Sequence, residues 1–382
     1  MLDLSKLLAV MVEHDASDLY LTVDSPPMYR INGVLRPAGN RCLQQTDTEA
    51  LALSIMTDRQ QREFGEENEM NLALYFAELG RFRVNAFRQR SFVGLVVRRI
   101  RSTILTIDDL DLPPILKDIS MTRRGLVLVV GATGSGKSTT LAAMIDHRNA
   151  NSAGHIISIE DPIEFVHEHK KSIITQREVG MDTTDYAVAL KNALRQAPDV
   201  VFIGEIRDAR TMEAALTFAE TGHLCLATLH SNNANQALER VMNFFPPERH
   251  NQIYLQLSLN LRSIVSQRLV RTPDGSRVAA FEVLLDSPRV KDLIHKAQVA
   301  ELKEAMEKSA NVGMMTFDQS LFELYKVGRI PLEEALRNAD SANNLRLRIK
   351  LSEEGGGAKA PAKLADAALP TPGTPGLQVD QG

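Results

Sequence analysis

The run Gly131-Ala132-Thr133-Gly134-Ser135-Gly136-Lys137-Ser138 has the spacing GxxxxGK[ST], and each residue type in it suits a phosphate. Glycines let backbone N–H groups wrap a β-phosphate, Lys137 offsets the β/γ charge, and the Ser138 hydroxyl suits the coordination shell of Mg²⁺. Val130 closes an apolar strand just before this loop, and Thr139–Ile145 begins a helix whose N-terminal dipole faces the phosphates. The candidate nucleotide-binding residues are therefore Gly131 through Thr139, with ATP and Mg²⁺ as the expected ligands.

A nucleotide site also needs acids. The apolar run Val200–Ile203 ends in Gly204-Glu205, the place of a Walker B acid. Glutamate is longer than the more usual aspartate, which suits metal contact through a water. The run Ile156–Ile159 leads into Glu160-Asp161-Pro162-Ile163-Glu164. Taken alone, each acid reads as a solvated strand-end charge or a helix cap. On strands of the sheet that carries the phosphate loop, the same acids point at the edge where ligands bind. Two carboxylates can then divide the work, one polarising the attacking water and one holding the metal's water.

Histidines 223 and 230 bracket the run Leu224–Ala227; each is either a structural imidazole or a hydrogen-bonding sensor of the γ-phosphate. His167 and His169, beside Lys170 and Lys171, read as a solvated polar stretch with no metal site. Arg81, Arg83, Arg88, Arg90, Arg98, Arg99 and Arg101 crowd one short region. They are either solvated edge-strand charge or a source of arginine fingers for a triphosphate. Arg195, Arg207 and Arg210 flank the Walker B run and are candidates for the same task.

The elements that must position these groups are legible in the patterning. Near the N-terminus, Leu4, Leu7, Leu8 and Met11 fall at helical spacing, and Asp18–Val23 reads as a strand. Asn32-Gly33 between two apolar runs predicts a tight hairpin. Thr46 with Glu49 predicts a capping box for a helix reaching Met56, and a charged helix is expected near Asp58–Glu67. In the following antiparallel strands, Phe82, Val84 and Ala86 alternate with Arg81, Arg83 and Asn85. Residues 1–101 thus form a small α+β domain. The Asp- and Pro-rich residues 102–118 read as a linker. Residues 119–285 carry continuous apolar strands between helices, the mark of a parallel sheet buried on both faces. Residues 286–351 read as helical, and the Gly/Pro/Ala-rich residues 352–382 as a disordered tail.

At 382 residues the chain holds two or three domains of roughly 150 residues. Its 44 basic against 48 acidic residues give a net charge of −4 and a pI near 6.2. That balance, with no interleaved aromatic and basic residues for gripping a strand, argues against nucleic acid as the partner. Only Cys42 and Cys225 are present, which excludes a disulfide scaffold and a four-Cys zinc site. No apolar run is long enough to cross a membrane and no signal peptide is evident, so a cytoplasmic protein is expected.

Six segments together resemble the secretion ATPases, and among them the PilT/PilU-type pilus-retraction motors. They are GRFRVNAFRQR (Gly80–Arg90), GATGSGKSTT (Gly131–Thr140), ISIEDPIEFVH (Ile157–His167), DVVFIGEIRDART (Asp199–Thr211), TGHLCLATLHS (Thr221–Ser231) and GMMTFDQSL (Gly313–Leu321). The resemblance implies a PAS-like N-terminal domain, a RecA-like P-loop core, and a ring of six chains with ATP bound between the two domains. It makes Glu164 the catalytic glutamate of an Asp box, Glu205 the Walker B acid, and His223 and His230 a His box. It also singles out Arg81 and Arg88 among the arginines. The implied partners are a PilT-like retraction ATPase and the inner-membrane pilus platform, with the motor peripheral on the cytoplasmic face. The segment Arg289-Val-Lys-Asp-Leu-Ile-His-Lys296 keeps the apolar positions of the PilT-type AIRNLIRE pattern and changes its polar ones, which points to the PilU-like branch. The rival functions are a nucleotide-binding accessory subunit of another motor, an extension or type II secretion ATPase, and a nucleic-acid translocase.

Overall fold

The computed structural model describes residues 3–100 and 103–355; Arg101 and the expected tail from residue 356 onward lie outside the described residues. The chain divides into two compact units: the first comprises the residues up to Thr103 together with the short segment Glu164–Val166, and the second comprises Ile104–Ile163 and the described residues from His167 onward.

The first unit begins with helix α1 (Leu4–Glu13), which Asp3 caps by accepting from the Ser5 N–H. Strands β1 (Asp18–Leu21), β2 (Met28–Ile31) and β3 (Val34–Pro37) follow, then α2 (Gln45–Ser54), α3 (Asp58–Glu67), β4 (Glu69–Phe76), β5 (Gly80–Gln89) and β6 (Phe92–Ile100). The strands form one antiparallel sheet ordered β3-β2-β1-β6-β5-β4. Asn32 and Gly33 both take positive φ, as the two-residue turn between β2 and β3 demands. Helix α2 departs from the expected cap: Gln44, not Thr46, closes the box, with Asp47 reaching back to the Gln44 N–H at 3.0 Å. Phe82, Val84 and Ala86 of β5 are fully buried against Leu7, Leu8, Met11 and Leu51.

The second unit is built on a seven-stranded sheet ordered β13-β12-β7-β11-β10-β8-β9. Its strands are β7 (Gly125–Val130), β8 (His155–Glu160), β9 (Ile173–Glu178), β10 (Val200–Ile203), β11 (Leu224–Leu229), β12 (Leu261–Arg271) and β13 (Arg277–Leu285). All neighbours are parallel except the β12–β13 pair. The four apolar runs read from the sequence are its buried centre. Alternation along β7 divides the core between two faces. Val127 and Val129 meet α4 (Ile115–Ser120) and α5 (Lys137–Asn151), whereas Leu126, Leu128 and Val130 belong to the layer on the other side. That second layer comprises α6 (Tyr186–Ala193), α7 (Ala209–Glu220), α8 (Ala234–Asn243), α9 (His250–Asn260), α10 (Pro288–His295) and α11 (Leu302–Glu307). Helices α12 (Phe317–Lys326), α13 (Leu332–Asn338) and α14 (Ala342–Gly355) pack Phe317, Leu321, Ala335 and Leu345 onto Val270, Val278 and Ala280 of the β12–β13 hairpin. Helix α14 thus runs four residues past Leu351, where the sequence suggested that order would stop.

One further expectation changes and another is qualified. Within the stretch read as a linker, Ile107, Leu112 and Leu116 are buried and pack with Val127 and Leu141 of the sheet layer. Its acids serve local structure: Asp109 accepts from the Thr106 N–H at 3.0 Å and its own N–H donates to Thr106 Oγ1. The stretch at His167–Lys171 is solvated as expected, with His169, Lys170 and Lys171 exposed, but it is also pinned. The His167 N–H donates to Gln176 Oε1 at 2.8 Å, the Ile174 N–H donates to His169 Nδ1, and Lys170 pairs with Asp146 at 2.8 Å. Burial pushes His167 down to about 4, against the pull of Asp146.

Because Leu116 is fully buried, Leu116→Ala should lower the unfolding free energy of the second unit by about 2–5 kcal/mol. An unchanged thermal unfolding midpoint would show that residues 104–118 are a linker after all.

Candidate nucleotide site

The phosphate loop connects the C-terminal end of β7 to the N-terminus of α5, whose N-cap is Gly136 at φ 91°. No side chain caps this helix, so its first-turn amides face the loop. Gln267 of β12 fixes the loop from behind. A side chain at Gly136 would stand 2.8 Å from Gln267 Nε2, and one at Gly131 would stand 2.6 Å from the Gln267 carbonyl. Buried Gln267 also accepts from Thr140 Oγ1 at 2.8 Å. Ala132, Thr133 and Gly134 form the exposed tip, Ser138 and Thr139 are half-buried in the first helical turn, and Lys137 and Ser135 are buried. The Lys137 ammonium donates to the Gly131 and Ala132 carbonyls, 2.9 Å each, and so lies along the rim of the loop.

The donor set fits a polyphosphate. The Ser135 hydroxyl is buried without a hydrogen-bond partner among the described residues, a costly state that an acceptor oxygen relieves. At Gly134, nothing lies within 4 Å of where a side chain would be.

Neighbouring strand ends supply the acids. Parallel register sets Ile203 of β10 beside Ile159 of β8 and Ala227 of β11, so the residues just beyond all three meet. Glu205 lies between two partners: Arg207 Nε donates to Oε2 at 2.7 Å, and His230 Nε2 is 3.1 Å from Oε1. Arg207 continues to Asp161 Oδ2 at 3.0 Å, tying the ends of β10 and β8 together. Burial first, then the nearby Lys137 ammonium, hold His230 below the ordinary imidazole range, against the opposing pull of Glu205. The ring is accordingly neutral near pH 7, and the 3.1 Å approach of Nε2 to Glu205 suits the tautomer protonated on Nε2. Glu160 is buried and accepts from Ser158 Oγ at 2.6 Å and Gln176 Nε2 at 3.2 Å. Glu164 is exposed in the segment that follows β8.

Not every candidate joins this cluster. His223 precedes β11, whose first residue pairs with the first residue of β7, so it lies at the sheet edge opposite the phosphate loop. It stacks edge-on against Phe218 and contacts Thr221 at 3.0 Å, a structural role. Arg195 sits in the turn before β10, where the adjoining Gln196 carbonyl contacts His155 at the start of β8. That too is the far edge, away from Glu205. Arg210 is exposed in the first turn of α7. In the first unit, Arg81 and Arg88 occupy β5 positions of opposite parity, so their side chains leave opposite faces of the strand. Arg88 stacks its guanidinium 5.4 Å above the Phe64 ring.

Sequence reasoning missed Gln267 and its neighbour Arg268. Arg268 donates to the Asn338 carbonyl at 2.7 Å and to the Asn232 carbonyl at 3.3 Å, pairs with Asp340 at 2.7 Å, and stacks on Phe317 at 3.8 Å. It thereby joins the C-terminal helices to the loop that carries His230. Gln267 is a buried polar residue inside a strand, and Arg268 beside it is half-buried.

A model of the type II/IV secretion system protein family matches residues 2–344. The type IV pilus ATPase PilU of Pseudomonas aeruginosa is 56% identical over 354 residues, covering 92% of this chain and 93% of the relative. The type IV pilus retraction ATPase PilT of the same organism is 42% identical over 343 residues, covering 90% and 100%. The crystal structure of the pilus retraction motor PilT with bound ADP matches at a TM-score of 0.85 and 39% identity, covering 91% of this chain and all of that one. Among the described residues, no helix is long and apolar enough to cross a membrane. With its nucleotide loop, RecA-like parallel sheet and likeness to these proteins over about nine-tenths of its length, the chain belongs to the type II/IV secretion protein family, on its PilT/PilU-type pilus branch and PilU-like in character, and is an ATPase.

Proposed function

We propose that this ATPase is a hexameric motor for type IV pilus retraction, acting in twitching motility beside a PilT-like partner at the inner-membrane pilus platform. It would work from the cytoplasmic face of that membrane as a peripheral protein. Retraction is supported above all by likeness that covers 93% of the PilU relative and all of the PilT one.

In the chemistry of hydrolysis, the amides of Gly131–Thr139 receive the β-phosphate and Lys137 neutralises the β/γ oxygens. Ser138 directly, and Glu205 through water, would hold Mg²⁺, which when bound would supply charge for the developing phosphate anion. Arg207 and His230 keep the Glu205 carboxylate oriented, and the neutral His230 is able to exchange its donation from Glu205 to a γ-phosphate oxygen. Glu164, unencumbered by a strand partner, takes the proton from the attacking water. Arg81 or Arg88 supplies a phosphate-directed guanidinium; being on opposite faces of β5, the pair cannot serve one phosphate together. Arg207 acts chiefly by holding Glu205 and Asp161, and Arg195 would act only on a neighbouring molecule.

Two substitutions separate binding from chemistry. Lys137→Ala should weaken ATP binding by about 2–3 kcal/mol, roughly 30–150-fold, measured by calorimetry; unchanged affinity would dismiss the phosphate-loop assignment. Glu164→Gln should keep ATP affinity within about twofold while phosphate release falls ~10²–10⁴-fold. Turnover near the wild-type rate would transfer the base to Glu160 or Glu205.

A further inference from the structure

Tyr186 opens helix α6 directly after its capping residue, Asp185, and its ring packs on the edge of the apolar layer. Its hydroxyl is buried and has no hydrogen-bond partner among the described residues. The oxygen is held over the end of the Walker B strand: a side chain at Gly204 would stand 3.0 Å from it and 3.0 Å from the Glu160 Cα. Gly204 is therefore bare because the tyrosine oxygen and the β8 backbone occupy the space above it. Around the hydroxyl stand Asp161, Glu160 and Glu205, with Arg207 the countercharge. Burial first, and these carboxylates next, raise the Tyr186 ionisation far above its usual value, so the group stays a neutral donor throughout the working pH range.

A buried hydroxyl among three carboxylates, bonded to none of them, is an unstable arrangement unless something bridges the gap. Leaving such a donor unmatched costs about 1–3 kcal/mol. Acids accept and do not donate to one another, so the bridging group must both accept from the tyrosine and donate to a carboxylate. Water has that chemistry, and it is the second substrate of ATP hydrolysis. Its position between the ends of β8 and β10 is the one that a water held by the site's acids would take.

We propose that Tyr186 is a positioning residue for hydrolysis: its hydroxyl donates to the water that the carboxylates at the ends of β8 and β10 hold, and fixes that water's orientation toward the phosphate. The tyrosine gives up no proton; it narrows the directions in which the water's lone pair can point while the base assigned above, Glu164, accepts the proton. This rests on the assignment of the strand-end acids to water and metal given above.

The test is Tyr186→Phe in the full-length protein, with Glu205→Gln assayed beside it. The ring and its packing are retained, so the ATP-free melting temperature should be unchanged or raised, because an unmatched buried hydroxyl has been removed. ATP affinity by calorimetry should stay within about twofold, while kcat falls about tenfold or more. Wild-type kcat in Tyr186→Phe with loss of turnover in Glu205→Gln would overturn the tyrosine's role alone. Wild-type kcat in both would remove the acid assignment as well. A marked drop in the ATP-free melting temperature would show that the hydroxyl serves the fold, and would also overturn the proposal.

Discussion

A carboxylate at the end of a buried strand must be held charged without being neutralised by its surroundings, and Glu205 is held by two donors of different kinds. Arg207 supplies a permanent charge at 2.7 Å and His230 a neutral N–H at 3.1 Å. The first is strong and fixed; the second is weaker and exchangeable. The three residues come from the ends of β10 and β11, and Arg207 extends the chain to Asp161 beyond β8. They meet only because the order β11-β10-β8 and its parallel register bring those ends level. A one-residue slip would exchange the two apolar layers and separate the carboxylate from its donors.

Behind this cluster, two consecutive residues of β12 face in opposite directions and serve different partners. Gln267 braces the phosphate loop through Thr140 and by close approach to Gly131 and Gly136. Arg268 clasps Asn338, Asp340 and Phe317 of the C-terminal helices and reaches the Asn232 carbonyl, two residues after His230. Shifts of the C-terminal helices are thus felt both at the histidine that contacts Glu205 and along the strand that supports the phosphate loop. Such a linkage is short and polar, and Arg268 within it is half-buried.

The phosphate loop and the four central strands were legible because each rests on a local rule: a fixed spacing of glycine and lysine, or an unbroken apolar run. Strand β12 was not, since Ser263, Ser266 and Gln267 are buried polar residues where composition suggests exposure. The stretch 104–118 misled for the opposite reason, its aspartates and prolines concealing the widely spaced Ile107, Leu112 and Leu116. His223 and His230 looked equivalent until strand length was counted: the six residues of β11 put them at opposite edges. The same counting separates Arg81 from Arg88 by parity. Tyr186 belongs to no motif, and only the fold reveals it among the acids.

The state of the His230 ring in the nucleotide-free protein tests the central cluster most directly. Nitrogen-15 NMR of the histidine side chains, with His230→Gln to assign the signal, reports which ring nitrogen carries the proton and at what pH a second one binds. A neutral ring protonated on Nε2 at pH 7, titrating below the ordinary value of about 6.5, is the predicted result. A doubly protonated ring at pH 7, or a neutral ring with its proton on Nδ1, would contradict an exchangeable neutral donor on Glu205.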